Sequence, residues 1–164
     1  MRLILYQTLE DRGNPEEIED YGPFICRNKY AWLGLGYYFW DSHIELGHWW
    51  GRTTYREYII CKAKGFYDEY CWDLHGNGLH RIEFENICKT IIDAGISTEE
   101  DLLVPEVIEF LKKNKQFSYK SIRALGINSI SSKINDTQLI IRMQFKKTHF
   151  ATLDLRPPIQ IWAN

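Results

Sequence analysis

Residues 34–40 read Gly-Leu-Gly-Tyr-Tyr-Phe-Trp, four aromatic rings in a row behind two glycines. No other stretch constrains the fold as much. Consecutive rings suit a strand, on which side chains alternate, so Tyr37 and Phe39 share one side and Tyr38 and Trp40 the other. Neither glycine has a Cβ, so the backbone at Gly34 and Gly36 can turn sharply or approach a ligand closely. Each pair of rings suits a packed core, or stacking on a flat ring such as nicotinamide or a base. The richness is general, with aromatics forming 15% of the chain.

Elements on either side follow from periodicity and punctuation. Residues 2–8 alternate as a strand, with Leu3, Leu5 and Gln7 on one face and Ile4, Tyr6 and Thr8 on the other. Residues 10–30 are rich in Asp, Glu, Gly, Pro and Asn and read as a long loop, the kind that carries function and here closes over a ligand. After a short strand at 37–40, Asp41 or Ser42 caps a helix over 43–50 that Gly51 ends. Strands are predicted at 53–63 and 66–74, with a turn at His75-Gly-Asn-Gly78.

Ile82, Ile87, Ile91 and Ile92 place a helix over 79–94. Ser97-Thr-Glu-Glu100 reads as a capping box that starts another, and Pro105 either kinks it or opens a new helix through Lys113. A short helix is expected at 119–125, then strands at 138–145, 148–155 and 159–162. With β elements at both ends and helices between, the reading is an α+β fold in a single domain, residues 1–164.

Twenty basic residues against twenty-two acidic ones give a net charge of −2, so there is no general electrostatic drive toward nucleic acid or anionic lipid. No apolar run reaches the length of a membrane span, and the first residues lack a signal-peptide pattern. Cys26, Cys61, Cys71 and Cys88 are scattered without a Cys-x-x-Cys pair, which predicts reduced thiols in a cytoplasm.

The segment Gly34-Leu-Gly36-Tyr-Tyr38-Phe39-x-Asp41, followed by a short helix bearing Gly47 and Trp49, resembles the Gly-x-Gly-aromatic-Tyr-Phe-x-Asp signature of the ADP-ribosyltransferase fold. The likeness is greatest to the branch of poly-ADP-ribose polymerases and diphtheria-type toxins, in a divergent bacterial or phage form. Leu5–Leu9, "LYQTL", sits where that family often has Leu-Tyr-His-Gly-Thr, and "PIQIWAN" sits where it places the strand that begins with its catalytic Glu. The resemblance implies a split β-sheet core with inserted helices. It implies NAD as substrate, with ADP-ribose passing to a protein or nucleic-acid acceptor, as in a toxin or defence factor. The alternative is a catalytically silent module binding a nucleotide or ADP-ribose on the same fold.

On this resemblance the catalytic positions are Gln7, Tyr38 and Gln160, of which only Tyr38 keeps the family's His, Tyr, Glu set. Tyr6, Thr8, Gly34, Gly36, Tyr37 and Trp49 would surround the cofactor. Tyr38 would stack on nicotinamide and Gln7 would bond a ribose hydroxyl, since an amide both donates and accepts. Breaking the nicotinamide–ribose bond passes through an oxocarbenium-like state that a carboxylate stabilises. Gln160 can bind but cannot act as a base, so Asp41, Glu45 and Glu57 are the nearest acids to consider. Arg52 and Arg56 are candidates for the pyrophosphate, and Arg2 for a grip on NAD from the first strand.

Two other constellations compete. Cys71, His75, His80 and Cys88 are zinc-ligand types, yet only the His pair has ligand spacing, so buried thiols and surface imidazoles are the reading and no metal is expected. His43 and His48 are five residues apart and do not share a helix face. Lys112-Lys113-x-Lys115 and Lys146-Lys147, with aromatics for stacking, suggest a single-strand nucleic-acid factor, ranked below the others by the negative net charge.

Overall fold

The computed structural model describes residues 1–126 and 139–144. Their contacts group into two compact units. The first holds Met1–Phe24 and Phe39–Phe66; the second holds Ile25–Tyr38 and the described residues from Tyr67 onward. Four α-helices and six strands make the chain a mixed α+β protein among the described residues. No helix there is long and apolar enough to cross a membrane.

In the first unit, β1 (Arg2–Glu10) lies between β3 (Tyr58–Phe66) and the end of β2 (Tyr37–Asp41), antiparallel to both and paired with β2 through Trp40 and Asp41. The β1–β3 ladder runs the full nine residues, from Arg2 opposite Phe66 to Glu10 opposite Tyr58. Leu5 is fully buried at its centre, and a Cβ at Gly65 would run into its side chain. Any larger residue at that strand position would require the Leu5 side chain to shift.

The expected loop at 10–30 contains a helix, α1 (Pro15–Tyr21). Pro15 opens it, Glu16 and Glu17 complement the positive end of its dipole, and buried Ile18 packs with Ile59 and Cys61. One apolar anchor in an acidic stretch left too little periodicity to read.

The helix expected at 43–50 is α2 (Ile44–Thr54), which starts after His43 and runs through Gly51 rather than stopping there. Gly51 serves packing: a Cβ there would strike the Tyr58 ring of β3. Because α2 takes residues 53 and 54, β3 begins later than the expected strand.

In the second unit, β5 (Ser121–Gly126) pairs parallel with β4 (Cys71–Asp73) and antiparallel with β6 (Leu139–Gln144). The predicted strand at 66–74 shrinks to β4, and the predicted helix at 119–125 is β5. Ile122 and Ala124 are buried while Arg123 is not, the two-residue alternation of a strand. Two neighbouring strands satisfy a backbone that is too short to hold an isolated helix.

α3 (Gly78–Asp93) is capped by Asn77, whose side chain accepts the Leu79 and His80 amides. Its inner row is Phe84, Ile87, Cys88 and Ile91, and Ile82 faces outward. The capping box expected at Ser97 is a turn in which Thr98 and Asp101 bond each other, and the helix begins later as α4 (Val104–Lys113). Pro105 sits in its first turn, and the Glu106 carboxylate accepts the Leu103 amide at 3.1 Å. Trp72, Ile91, Val107, Ile108, Leu111 and Ile122 form the core, with Leu33 and Ala124. The strands expected at 148–155 and 159–162 lie outside the described residues.

Candidate functional site

Gly34 adopts φ +85°, a conformation that a side chain strains, and its turn delivers the chain into β2. Gly36 pairs with Cys26, whose amide donates to the Gly36 carbonyl at 2.8 Å. The Tyr38 hydroxyl then reaches back into the turn. It accepts the Leu33 amide at 2.9 Å and donates to the Gly34 carbonyl at 2.8 Å. Gly34, Gly36 and Tyr38 thus form one closed loop-to-strand unit. The Tyr38 ring also packs on the core of the second unit. Burial raises its phenol pKa, Cys26 adds to this, and the bond from Leu33 only partly offsets it, so the hydroxyl stays protonated.

Gln7 lies in the first unit, nearly buried, and its carboxamide pairs with the backbone of one residue, Phe24. Nε2 donates to the Phe24 carbonyl at 2.9 Å and Oε1 accepts the Phe24 amide at 3.0 Å. The side chain therefore ties the segment after α1 to β1. Thr8, expected near the cofactor, joins α2 to β1: its hydroxyl donates to the Gly47 carbonyl at 3.0 Å and accepts the Trp40 indole N–H at 3.3 Å. Gly47 allows this approach, since a Cβ would lie 3.0 Å from the Thr8 oxygen.

Trp49 meets Trp40 edge-on at 6.5 Å, and Trp50 completes the aromatic group. Tyr6 and Tyr37 are half-buried, and Tyr6 pairs across the ladder with Trp40 and Lys62. Asp41 is buried and accepts the Ser42 hydroxyl, while Glu45, Glu57, Arg2, Arg52 and Arg56 are exposed. Gln160 lies outside the described residues, as do Lys146 and Lys147.

No protein-family model, no curated protein and no solved structure matches this chain. The assignment of a site rests on geometry alone.

A polar cluster that the sequence reading missed sits in the second unit. Asp73, at the end of β4, is 2% exposed. Its carboxylate accepts the His75 amide at 3.0 Å, the Gly76 amide at 2.8 Å and the Tyr67 hydroxyl at 2.8 Å. Arg123 completes it with an ion pair at 3.3 Å. Burial pushes the Asp73 pKa up. The bonds from Gly76 and Tyr67, the Arg123 charge and the His75 amide together outweigh it and hold the carboxyl below its usual range. A Cβ at Gly76 would fall 2.8 Å from Asp73 Oδ2.

Beside this cluster the His80 Nδ1 accepts the Asp73 amide at 2.9 Å, which takes up one of the two nitrogens of the candidate zinc histidine. Among the described residues no group of three or more His, Cys, Asp and Glu side chains is placed to hold a metal ion. None of the four cysteines forms a disulfide. The local signal for the cluster was Asp73 followed by Gly76-Asn77-Gly78, an aspartate that folds its own turn. Its partner Arg123 is fifty residues away and carried no signal.

Proposed function

We propose that this chain is an ADP-ribosyltransferase-like domain that binds NAD or a related nucleotide without transferring ADP-ribose. The observation that carries the reading is the loop-to-strand unit at Gly34, Gly36 and Tyr38: a left-handed glycine, a strand opening on aromatic residues, and a tyrosine held in one position from the turn to the strand. The order around it supports the same reading, with β1 carrying Gln7, β2 carrying Tyr38, and α2 bearing Gly47 and Trp49. A fixed ring is a better stacking surface than a mobile one, because its ordering cost is met before the ligand arrives.

The silent reading is favoured over transfer by Gln7. Both halves of its carboxamide are engaged with Phe24, so its place is taken by a structural bond. An amide also carries no charge with which to stabilise an oxocarbenium-like state. Four cysteines without a disulfide fit a cytoplasmic setting.

The test is NAD titration by calorimetry, together with release of nicotinamide from labelled NAD. Saturable binding with no release above the protein-free rate is expected. Tyr38→Phe keeps the ring but removes both hydroxyl bonds, and should weaken binding roughly three- to tenfold, the equivalent of about 1 kcal/mol. Release of nicotinamide, or ADP-ribose appearing on a protein or nucleic acid, would establish transfer instead. Absence of binding would end both readings.

A further inference from the structure

The face of the β1–β3 ladder on which α2 lies is covered over only part of its length. Thr8 bonds Gly47 of α2, and Ile60 and Tyr58 approach Gly47 and Gly51, so these three strand positions are buried. Beyond them the same face continues through three cross-strand pairs: Tyr6 with Lys62, Ile4 with Lys64, and Arg2 with Phe66. There the side chains emerge. Phe66 is 58% and Ile4 41% exposed, Arg2 and Lys64 are exposed, and Tyr6 and Lys62 are half-buried.

Each pair sets one cation beside one apolar side chain, and successive pairs stand about 7 Å apart. Arg2, Lys62 and Lys64 form no ion pair with a described residue. No acid shares this open stretch of the two strands; Glu10, at the far end of the face opposite Tyr58, is paired with Arg12 at 2.6 Å. α2 carries one acid, Glu45, and one base, Arg52, and adds no net charge. A chain of net charge −2 thus holds a local positive surface, which attracts polyanions. The rings decide which polyanion. Tyr6 pairs with Trp40 on its other side, and Trp40 meets Trp49 and Trp50, so aromatic surface runs on from the strands to α2. Unpaired bases present flat faces to such rings, whereas a duplex, an acidic peptide or a lipid headgroup does not.

We propose that this open half of the β1–β3 face binds single-stranded nucleic acid, with bases on Tyr6 and Phe66 and phosphates on Arg2, Lys62 and Lys64. It does not use the lysines at 112–115 or 146–147. The surface belongs to the first unit and does not depend on NAD binding.

The test uses the full chain with fluorescein-labelled oligo(dT) and oligo(rU), followed by anisotropy, and a duplex, polyglutamate and phosphatidylserine vesicles as controls. Saturable binding is expected for one or both single strands and not for the controls. The logarithm of the affinity should fall with log salt at a slope of about −2, as three phosphate contacts require. Lys64→Gln should weaken binding and reduce that slope by about 0.7. Phe66→Ala should weaken binding at least about fivefold, and Phe66→Tyr, which keeps a ring, should restore it. Both positions are exposed, so the substitutions spare the core. The proposal fails if neither strand binds saturably, or if the duplex, polyglutamate or the vesicles bind as tightly. It also fails if either Lys64→Gln or Phe66→Ala leaves the affinity unchanged.

Discussion

At the scale of single residues, the most informative side chains are polar ones that close short circuits. The Tyr38 hydroxyl bonds the Leu33 amide and the Gly34 carbonyl in the turn before it, and the Gln7 carboxamide bonds both the amide and the carbonyl of Phe24. Asp73 collects two amides, a phenol and a guanidinium. Its carboxyl is held below the unfolded value of about 3.9, so its contribution to stability is present above that pH and is lost as the pH falls through the folded pKa. Acid titration of unfolding should therefore show a loss of stability below about pH 4 that Asp73→Asn removes. At neutral pH that variant should be less stable by on the order of 2 kcal/mol or more, because Arg123 and Tyr67 lose a charged partner. Urea melts across the pH range measure both. An unchanged acid limb in the variant would assign it to other carboxyls.

At the scale of elements, glycine placement separates local preference from packing. Helix propensity alone favours alanine over glycine inside α2 by about 1 kcal/mol. At Gly51 the Tyr58 ring occupies the space of a Cβ, and overpacking costs about 1–3 kcal/mol. Gly51→Ala should thus destabilise the chain. Gly78→Ala in the first turn of α3, where nothing lies within 4 Å, should be neutral or stabilising. Paired urea melts test this, and a stable Gly51→Ala would mean that the Tyr58 ring moves aside.

The same contrast governs what could be read beforehand. β1, β2 and α3 were legible because their own periodicity specifies them, although Asn77, which caps α3, was read only as part of a turn. α1 was hidden by acidic composition and β5 by a sequence that also suits a helix. What decides β5 is its hydrogen bonding to β4 and β6, supplied from elsewhere in the chain.

At the scale of the molecule, each unit keeps its own core: Ile18, Ile59 and Cys61 in the first, and Trp72, Ile91, Val107, Ile108 and their neighbours in the second. Ile108→Ala removes methyl groups from a site only 1% exposed and should cost about 2–5 kcal/mol. Hydrogen exchange should then rise first in β4, α3, α4 and β5, with β1 and β3 responding only to global unfolding. Equal acceleration in β1 would show a single cooperative core.

The candidate site divides in the same way. Gly34, Gly36 and Tyr38 stand within five residues, so local geometry brings them together and the sequence alone identified them. The sequence also determined the α+β class and the course of α3, since alternation and helical spacing act over a few residues. Tertiary structure alone decided that Gln7 holds the Phe24 peptide, that residues 121–126 form a strand, and that Asp73 meets Arg123. Each depends on a partner supplied by distant chain, and a hydrogen bond or ion pair between distant residues leaves no periodicity in the sequence that encodes it.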